Sequence, residues 1–373
     1  MRKYGVIFGG PSPEHEISIL TGLQCERVLS GAGHEPTVIY WSREGEFFVV
    51  DTGLEASAFI DGTPKGADRV HLDASLGGGF FSWSKLGKRR DIELEAVLNC
   101  CHGGPGESGG LNAMMEVAGI PITGGPSWAA ALGMDKLAFA GFAAAAGLRT
   151  LPRVAVTPGS PAPEFDAPYL VKPRGGGSSL GIQTAADWSS ALDLVQNYAP
   201  LRQGAVAEPF LPDSYDLNLG FATWPEVRFS LVERPERVGS GIYDYEQKYL
   251  QGNGLSAAPR EIPANIPDTM HAECLSMART LIVTGGFRGL GRIDFLIDEE
   301  TVYLNEVNSI PGAMGMYLWE PDIPLEDLLV PMLDEAQAHP PRPLAAAPAA
   351  REALRVASGI SQKLLGNRVG GAR

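Results

Sequence analysis

Residues 292–308 read RIDFLIDEETVYLNEVN, a stretch with two carboxylates and an amide at a spacing that can hold a hard cation. Ile293, Phe295 and Ile297, then Val302 and Leu304, recur with period two, which predicts two strands joined at the acidic run Asp298-Glu299-Glu300. Arg292 and Asp294 share one face of the first strand. Glu306 and Asn308 share one face of the second, and Val302 and Leu304 set that face among apolar neighbours. Folding about residue 300 brings Asp294 opposite or diagonal to Glu306. Two carboxylates side by side repel and are costly to desolvate unless a positive group sits between them. Carboxylate and amide oxygens suit Mg2+ or Mn2+, and Mg2+ usually shares itself with substrate phosphates.

A phosphate cradle is the natural companion of such a cation, and YLVKPRGGGSSLG supplies one. A strand ends in Lys172, followed by Gly175, Gly176, Gly177, Ser178 and Ser179, whose small side chains let successive backbone N–H groups point at an anion. The common P-loop order GxxxxGK[ST] is absent, because the lysine precedes the glycines. Alone, the glycine run reads equally well as a flexible surface turn. With a strand lysine before it and a carboxylate hairpin elsewhere, it converges on nucleotide phosphates.

These residues need a scaffold, and the chain is long enough to build one. Its 373 residues suggest two or three domains at roughly 150 residues each, and 44% hydrophobic content is ample for real cores. The net charge of −14 argues against nucleic-acid and anionic-membrane partners, which demand a basic face. Four scattered cysteines, no signal peptide and no long apolar run point to a reduced, cytoplasmic protein. Cys100, Cys101 and His102 lack a second pair at zinc spacing and read as core residues.

Period switches and Gly/Pro clusters divide the chain into blocks. YGVIFGG, a helix from Pro13 to Leu29, EPTVIYW and AVLNC form an alternating strand-helix-strand layout with a parallel sheet, and residues 51–84 read as an insertion or hairpin outside the core. A helix over LAFAGFAAAAG leads through a proline-rich segment to the strand YLVKP. The expected division is 1–125, 126–204, 205–339 and a linker with a basic tail helix over 340–373.

Seven ordered motifs resemble those of the D-alanine–D-alanine ligase family of the ATP-grasp superfamily. They read GGPSPEHEIS, HGGPGESG, GIPITGGPSWAAALGMDK, VKPRGGGSSLG, YDYEQKY, GLGRIDF and NEVNSIPGAMG, and run from residue 4 to about 337. The resemblance implies an α/β (α+β) three-domain ATP-grasp fold with an N-terminal Rossmann-like domain, ATP held between the central and C-terminal domains, and a homodimer. It implies that the carboxylate of a first D-alanine is phosphorylated by ATP and that the amine of a second attacks the acyl phosphate.

By the same resemblance, Asp294, Glu306 and Asn308 match the Mg2+ (or Mn2+) ligands, and Arg292 the arginine at the transferring phosphate. A structural ion pair of Arg292 with these acids is the competing explanation. Lys136, Lys172 and Ser178 match residues holding ATP phosphates, Ser178 with a catalytic role; Glu208 and Leu211 match adenine contacts and Asp216 the ribose carboxylate. Glu14 matches the group that meets the first substrate's ammonium, although Ser12-Pro13-Glu14 also reads as an ordinary helix start. His102 fits near that substrate, and Lys248 and Tyr249 fit a mobile loop that closes over the site.

Gly312 and the residues after it match the second-substrate segment, and there the chain departs from the family. Where a Ser-Leu pair usually precedes proline, this sequence has AMGMYLWEP. Counting from Gly312 puts Tyr317 at the serine place, and counting back from Pro321 puts Leu318 there. The expected activity is D-alanyl-D-alanine synthesis for peptidoglycan. The altered segment favours, as the alternative, a related ligase with another second substrate; a non-catalytic nucleotide-binding protein is disfavoured by the retained metal-phosphate set.

Overall fold

The structure, a computed structural model, describes residues 2–177, 180–236, 260–321 and 323–341. Ser178, Lys248, Tyr249 and the tail from residue 342 lie outside the described residues.

The first sheet contains β1 (Tyr4–Gly9), β2 (Thr37–Trp41), β3 (Phe47–Val50), β4 (Asp68–Asp73), β5 (Gly79–Trp83), β6 (Arg89–Asp91) and β7 (Ala96–Asn99), in the order β6-β5-β4-β3-β2-β1-β7. Only β2-β1-β7 is parallel, and β3 to β6 extend it as an antiparallel meander. Residues 51–84 are therefore not outside the core. They contain a hairpin, but Val70 and Phe80 are buried against Phe47 and Ile39, since an added edge strand still covers one apolar face. β1 is central and buried on both sides. Val6 and Phe8 face helix α1 (His15–Gly31), whereas Ile7 faces α3 (Gly110–Ala118), which follows the short α2 (Gly104–Glu107). Cys100 and Cys101 enter opposite cores, as strand neighbours should, and all four cysteines are free and buried.

Helices α4 (Ser127–Met134) and α5 (Lys136–Ala145) lead to the second sheet, β10-β9-β11-β8, built from β8 (Val154–Val156), β9 (Tyr169–Pro173), β10 (Gln183–Ala185) and β11 (Ala205–Pro209), with α6 (Trp188–Asn197) packed on it. The third sheet, β14-β13-β12-β15-β16, contains β12 (Tyr215–Ala222), β13 (Arg228–Pro235), β14 (Arg260–Glu261), β15 (Leu290–Asp298) and β16 (Thr301–Asn308). One face packs on α5 and α7 (Asp268–Gly285) through Leu217, Leu219, Phe221, Ile293, Phe295 and Ile297. The last described helix, α8 (Glu326–Ala338), buries Leu328, Leu329, Met332 and Leu333 in the core beside β1 and α1. Each such side chain contributes about 1.5–3 kcal/mol, so the chain's late segment is tied to its first sheet.

The expected hairpin forms, with one difference in facing. Asp294 pairs with Glu306, but Phe295 pairs with Leu304, so Asn305 is an extra residue bulged out of β16. The bulge inverts the alternation. Val302 and Leu304 face the core, while Glu306 and Asn308 face the opposite side, and Val307 becomes buried. The uninterrupted alternation read from the sequence put Glu306 on the Val302–Leu304 face, and the inserted residue is the reason it is not there. Among the described residues, no helix is long and apolar enough to cross a membrane.

Candidate active site

The non-core face of the third sheet carries a polar row across four strands. Glu233, Asn218, Asp294 and Glu306 are successive register partners on β13, β12, β15 and β16. One step along, Gly220, Arg292 and Asn308 form the next row. Arg292 holds Asp294 in a fork: Nε donates to Oδ1 at 2.6 Å and a terminal nitrogen to Oδ2 at 2.7 Å. Asn308 Nδ2 donates to the same Oδ2 at 3.0 Å. Burial opposes the Arg292 charge, but Asp294 beside it raises the guanidinium pKa well above its ordinary value. The ion pair that competed with the metal reading is thus present, and it fixes the Asp294 carboxylate beside Arg292 and Asn308, across the register from Glu306. Among the described residues no three His, Cys, Asp or Glu side chains form a metal cage. Two carboxylates and an amide are a partial oxygen donor set, as suits a cation that also takes ligands from phosphate.

Lys136 and Lys172 arrive from two directions. Asp135 caps α5 by accepting from Leu137 N at 3.1 Å and Ala138 N at 3.0 Å, and Arg174 clamps the same carboxylate at 2.7–2.9 Å. Lys136 N also donates to Arg174 O at 2.9 Å, so the start of α5 is fastened to the loop after β9. There Lys136 Nζ donates to Gly176 O at 2.5 Å. Lys172, on β9, pairs with Glu208 on β11, whose other oxygen accepts from Arg153 Nε at 2.7 Å. Burial alone would raise the Glu208 pKa; the Lys172 and Arg153 cations outweigh it and depress it to about 2. Burial, with Lys172 and Arg153 nearby, lowers the Lys136 pKa. Leu211 lies in the half-buried loop after β11, and Asp216 shares the Asn218 face of β12.

The first sheet supplies the opposing wall. α1 begins at His15, two residues after the proline, and Glu14 stands at its N-cap with its N–H bonded to Ser12 Oγ at 3.0 Å. Its buried carboxylate lies between two glycines: a Cβ on Gly103 would come within 2.6 Å of Oε2, and one on Gly177 within 3.3 Å. Gly103 also has φ of +61°, so a side chain there is excluded twice. Thr21 links this wall to the segment after β16. Its hydroxyl meets His102 Nε2 at 2.8 Å and accepts from Ala313 N at 3.2 Å. Burial lowers the His102 pKa to about 4, opposed by a hydrogen bond to the Ile310 backbone and reinforced by Arg292. Ala313, Met314 and Gly315 all have left-handed backbones, with φ of 50°, 53° and 65°. Such non-glycine conformations cost about 1–3 kcal/mol each and persist where the surroundings fix them; here the Thr21 contact and the buried Met314 do so.

Past that turn the two counts from the sequence separate. Leu318 is fully buried and enters the apolar core. Tyr317 turns to the polar side, where its hydroxyl donates to Glu233 Oε2 at 3.3 Å. Arg260 lies 4.7 Å from the Tyr317 ring centroid and pairs with Glu233 Oε1 at 3.1 Å, and Asn218 Nδ2 donates to Glu233 Oε2 at 2.9 Å. Burial raises the Tyr317 pKa, so the phenol keeps its proton.

The structure thus gathers Asp294, Glu306, Asn308 and Arg292 in one patch, Lys136, Lys172 and Glu208 in a second, and Glu14, His102 and Gly312 along the facing wall. Four buried or half-buried polar residues escaped the sequence analysis: Glu107, Arg153, Glu233 and Arg260. Glu107 accepts from Gly103 N at 2.8 Å and Ile310 N at 3.3 Å. Burial, then Glu14 and Glu306, push its pKa to about 8. Its position inside HGGPGESG was the available signal. Arg153, Glu233 and Arg260 carry no local pattern, because each acquires its partners from distant strands.

Solved structures that share this fold include D-alanine–D-alanine ligases of the ATP-grasp class. A D-alanine–D-alanine ligase from Helicobacter pylori matches with a TM-score of 0.68 at 25% identity, covering 92% of this chain and 100% of that one. A D-Ala:D-Ser ligase from Enterococcus faecalis shares the fold, with a TM-score of 0.69 at 23% identity over 90% of this chain and 98% of that one. In sequence, the D-ala D-ala ligase N-terminus matches residues 3–125 and the D-ala D-ala ligase C-terminus residues 157–320. A D-alanine–D-alanine ligase of Campylobacter lari is 32% identical over 322 residues, spanning 85% of this chain and 89% of the relative; one from Campylobacter concisus is 31% identical over 320 residues, spanning 85% and 88%. The chain belongs to the D-alanine–D-alanine ligase family, whose members are ATP-dependent ligases.

Proposed function

We propose that this protein joins two D-amino acids in an ATP- and Mg2+- (or Mn2+-) dependent reaction, with D-alanyl-D-alanine for peptidoglycan as the leading product. The observation that carries this reading is the Asp294–Glu306 register pair, flanked by Arg292 and Asn308 and faced by Glu14 and His102. The carboxylate of the first amino acid attacks the γ-phosphorus of ATP and ADP leaves. The second amino acid's amine then attacks the acyl carbon and phosphate departs.

Each step has a supporting residue in this chain. Lys136 and Lys172 hold phosphate oxygens, and the glycine run Gly175–Gly177 offers backbone N–H groups without side-chain obstruction. Glu208, Leu211 and Asp216 belong to the nucleoside side. Asp294, Glu306 and Asn308 would hold the cation, which when bound neutralises charge on the transferring phosphate. Arg292, already oriented by Asp294, is the fork for the developing charge on the phosphoryl group or the acyl oxygen. Glu14 takes the first substrate's ammonium and His102, neutral and held by Thr21, shapes its pocket. Ser178, Lys248 and Tyr249 enter by family resemblance only, as does a homodimer, whereas a cytoplasmic location and the division at residues 125, 204 and 339 rest on the composition and patterning of the sequence.

A second reading keeps the chemistry and changes the acceptor. Its support is Tyr317, whose hydroxyl is engaged by Glu233 where the family uses a small hydroxyl for the acceptor carboxylate. Gly312 and Tyr317 then bound a pocket that selects another amino acid, in specialised metabolism. Phosphate release with ATP, Mg2+ and a panel of D- and L-amino acids, singly and in pairs, tests both readings. D-alanine alone giving ADP, phosphate and the dipeptide supports the first; release only with a mixed pair supports the second; no amino-acid-dependent release overturns both.

A further inference from the structure

We propose that Arg153 is a positioning residue that prepares the ATP phosphate site, acting on both the lysine patch and the metal-facing hairpin. This rests on the ligase reading above. Arg153 and Glu208 side chains are each only 1% exposed, so this ion pair is closed to water. Arg153 makes four contacts to three segments. Nε donates to Glu208 Oε2 at 2.7 Å, one terminal nitrogen to Lys136 O at 3.3 Å, and the other to Asn305 O at 2.9 Å and Asn305 Oδ1 at 2.8 Å.

Two consequences follow from these partners. The first concerns charge. Glu208 is shared between Arg153 and Lys172, and Lys136 feels both cations. Two cations therefore contact one carboxylate, with Lys136 close enough to feel both and Glu306 a further carboxylate in range of Lys136. Three cations against these two carboxylates leave a positive patch that an anion complements, and a nucleotide's phosphates are the anion the ligase reading supplies. Without Arg153, Glu208 would be left to Lys172 alone and would neutralise the lysine that the phosphates need.

The second consequence concerns facing. Asn305 is the bulged residue of β16, and the bulge is what turns Glu306 to the side of Asp294. Arg153 holds both the carbonyl and the side chain of Asn305, so it clamps the irregularity that aims Glu306. One guanidinium thus ties the second sheet to the hairpin of the third.

The test compares ligands that differ only in phosphate. ATP and adenosine affinities are measured by calorimetry with Mg2+ for the full-length chain and for Arg153→Met and Arg153→Lys, with melting curves as a folding check. The expected result is ATP weakened tenfold or more by Arg153→Met, with adenosine within twofold because Lys172 still holds Glu208 on the nucleoside side. Arg153→Lys keeps the charge but loses the fork, and ATP weakens by about threefold. If the methionine variant does not fold, the lysine variant carries the same comparison, because it retains the buried charge. Equal weakening of ATP and adenosine would mean a merely structural role, and no weakening of either would remove Arg153 from the site; both outcomes overturn the proposal. If the wild-type chain binds no ATP, the ligase reading itself fails, which separates the two.

Discussion

Replacing Tyr317 with serine tests whether the acceptor pocket has been rebuilt. The phenol donates to Glu233 at 3.3 Å, a long bond to a charged group, worth about 1.5 kcal/mol at the lower end of its class. The ring also lies 4.7 Å from the Arg260 guanidinium, which adds about 0.5–2 kcal/mol. Serine loses both, about 2–3.5 kcal/mol of local order, and puts a compact hydroxyl near Arg292 in place of a buried ring. A serine hydroxyl that bonds the acceptor carboxylate is worth about 1.5–3 kcal/mol, so at about 1.4 kcal/mol per tenfold the kcat/KM for D-alanine as acceptor should rise relative to the wild-type's preferred acceptor by about 10-fold or more. Tyr317→Phe separates the contributions, since it removes the hydroxyl and keeps the ring: Glu233 loses one donor, and acceptor preference should move by less than threefold. Competition between paired amino acids, read by product mass, measures both variants. If D-alanine is already the best acceptor by tenfold and Tyr317→Ser alters nothing, the Tyr317–Glu233 contact is neutral and the pocket argument fails.

Glu306→Gln should cost on the order of 3 kcal/mol, or about 100-fold in turnover, with the melting temperature little changed, because one charge is removed from the proposed divalent-cation site; near-normal turnover at saturating Mg2+ would remove Glu306 from the mechanism. His102, depressed from 6.5 to about 4 by burial, stays neutral in the folded state. Its contribution to stability is complete above pH 6.5 and is lost as the pH falls through about 4, a change of about 3 kcal/mol. Denaturant unfolding at pH 7, 5 and 4 should show a shallower acid loss in His102→Gln, and identical slopes would contradict the assignment. Truncation after Pro341 should leave ligation unchanged, because α8 ends at Ala338 with its apolar face already buried; loss of activity in the shortened chain would give the tail a role.

Much of the fold and site was legible in the sequence because it is local. Period-two alternation fixed β15 and β16 as a hairpin and brought Asp294 beside Glu306, since a two-strand turn leaves few registers. A strand carrying Lys172 before three glycines marked the proposed phosphate loop, and the apolar run LAFAGFAAAAG marked α5. Other features were decided only by tertiary structure. No pattern in β16 announces that Asn305 is extra, because a bulge is defined by the partner strand's count of residues. Arg153 and Glu233 look like ordinary strand-flanking charges until Glu208, Asn305, Tyr317 and Arg260 arrive from elsewhere in the chain. Glu107 is raised by burial between two walls that are about 200 residues apart in sequence, joined through Gly103 and Ile310. Residue type and spacing set which groups can do chemistry. The desolvation, the shared carboxylates and the direction in which Glu306 points arise only when the three sheets close on one another, because those energies depend on neighbours that the local sequence does not contain.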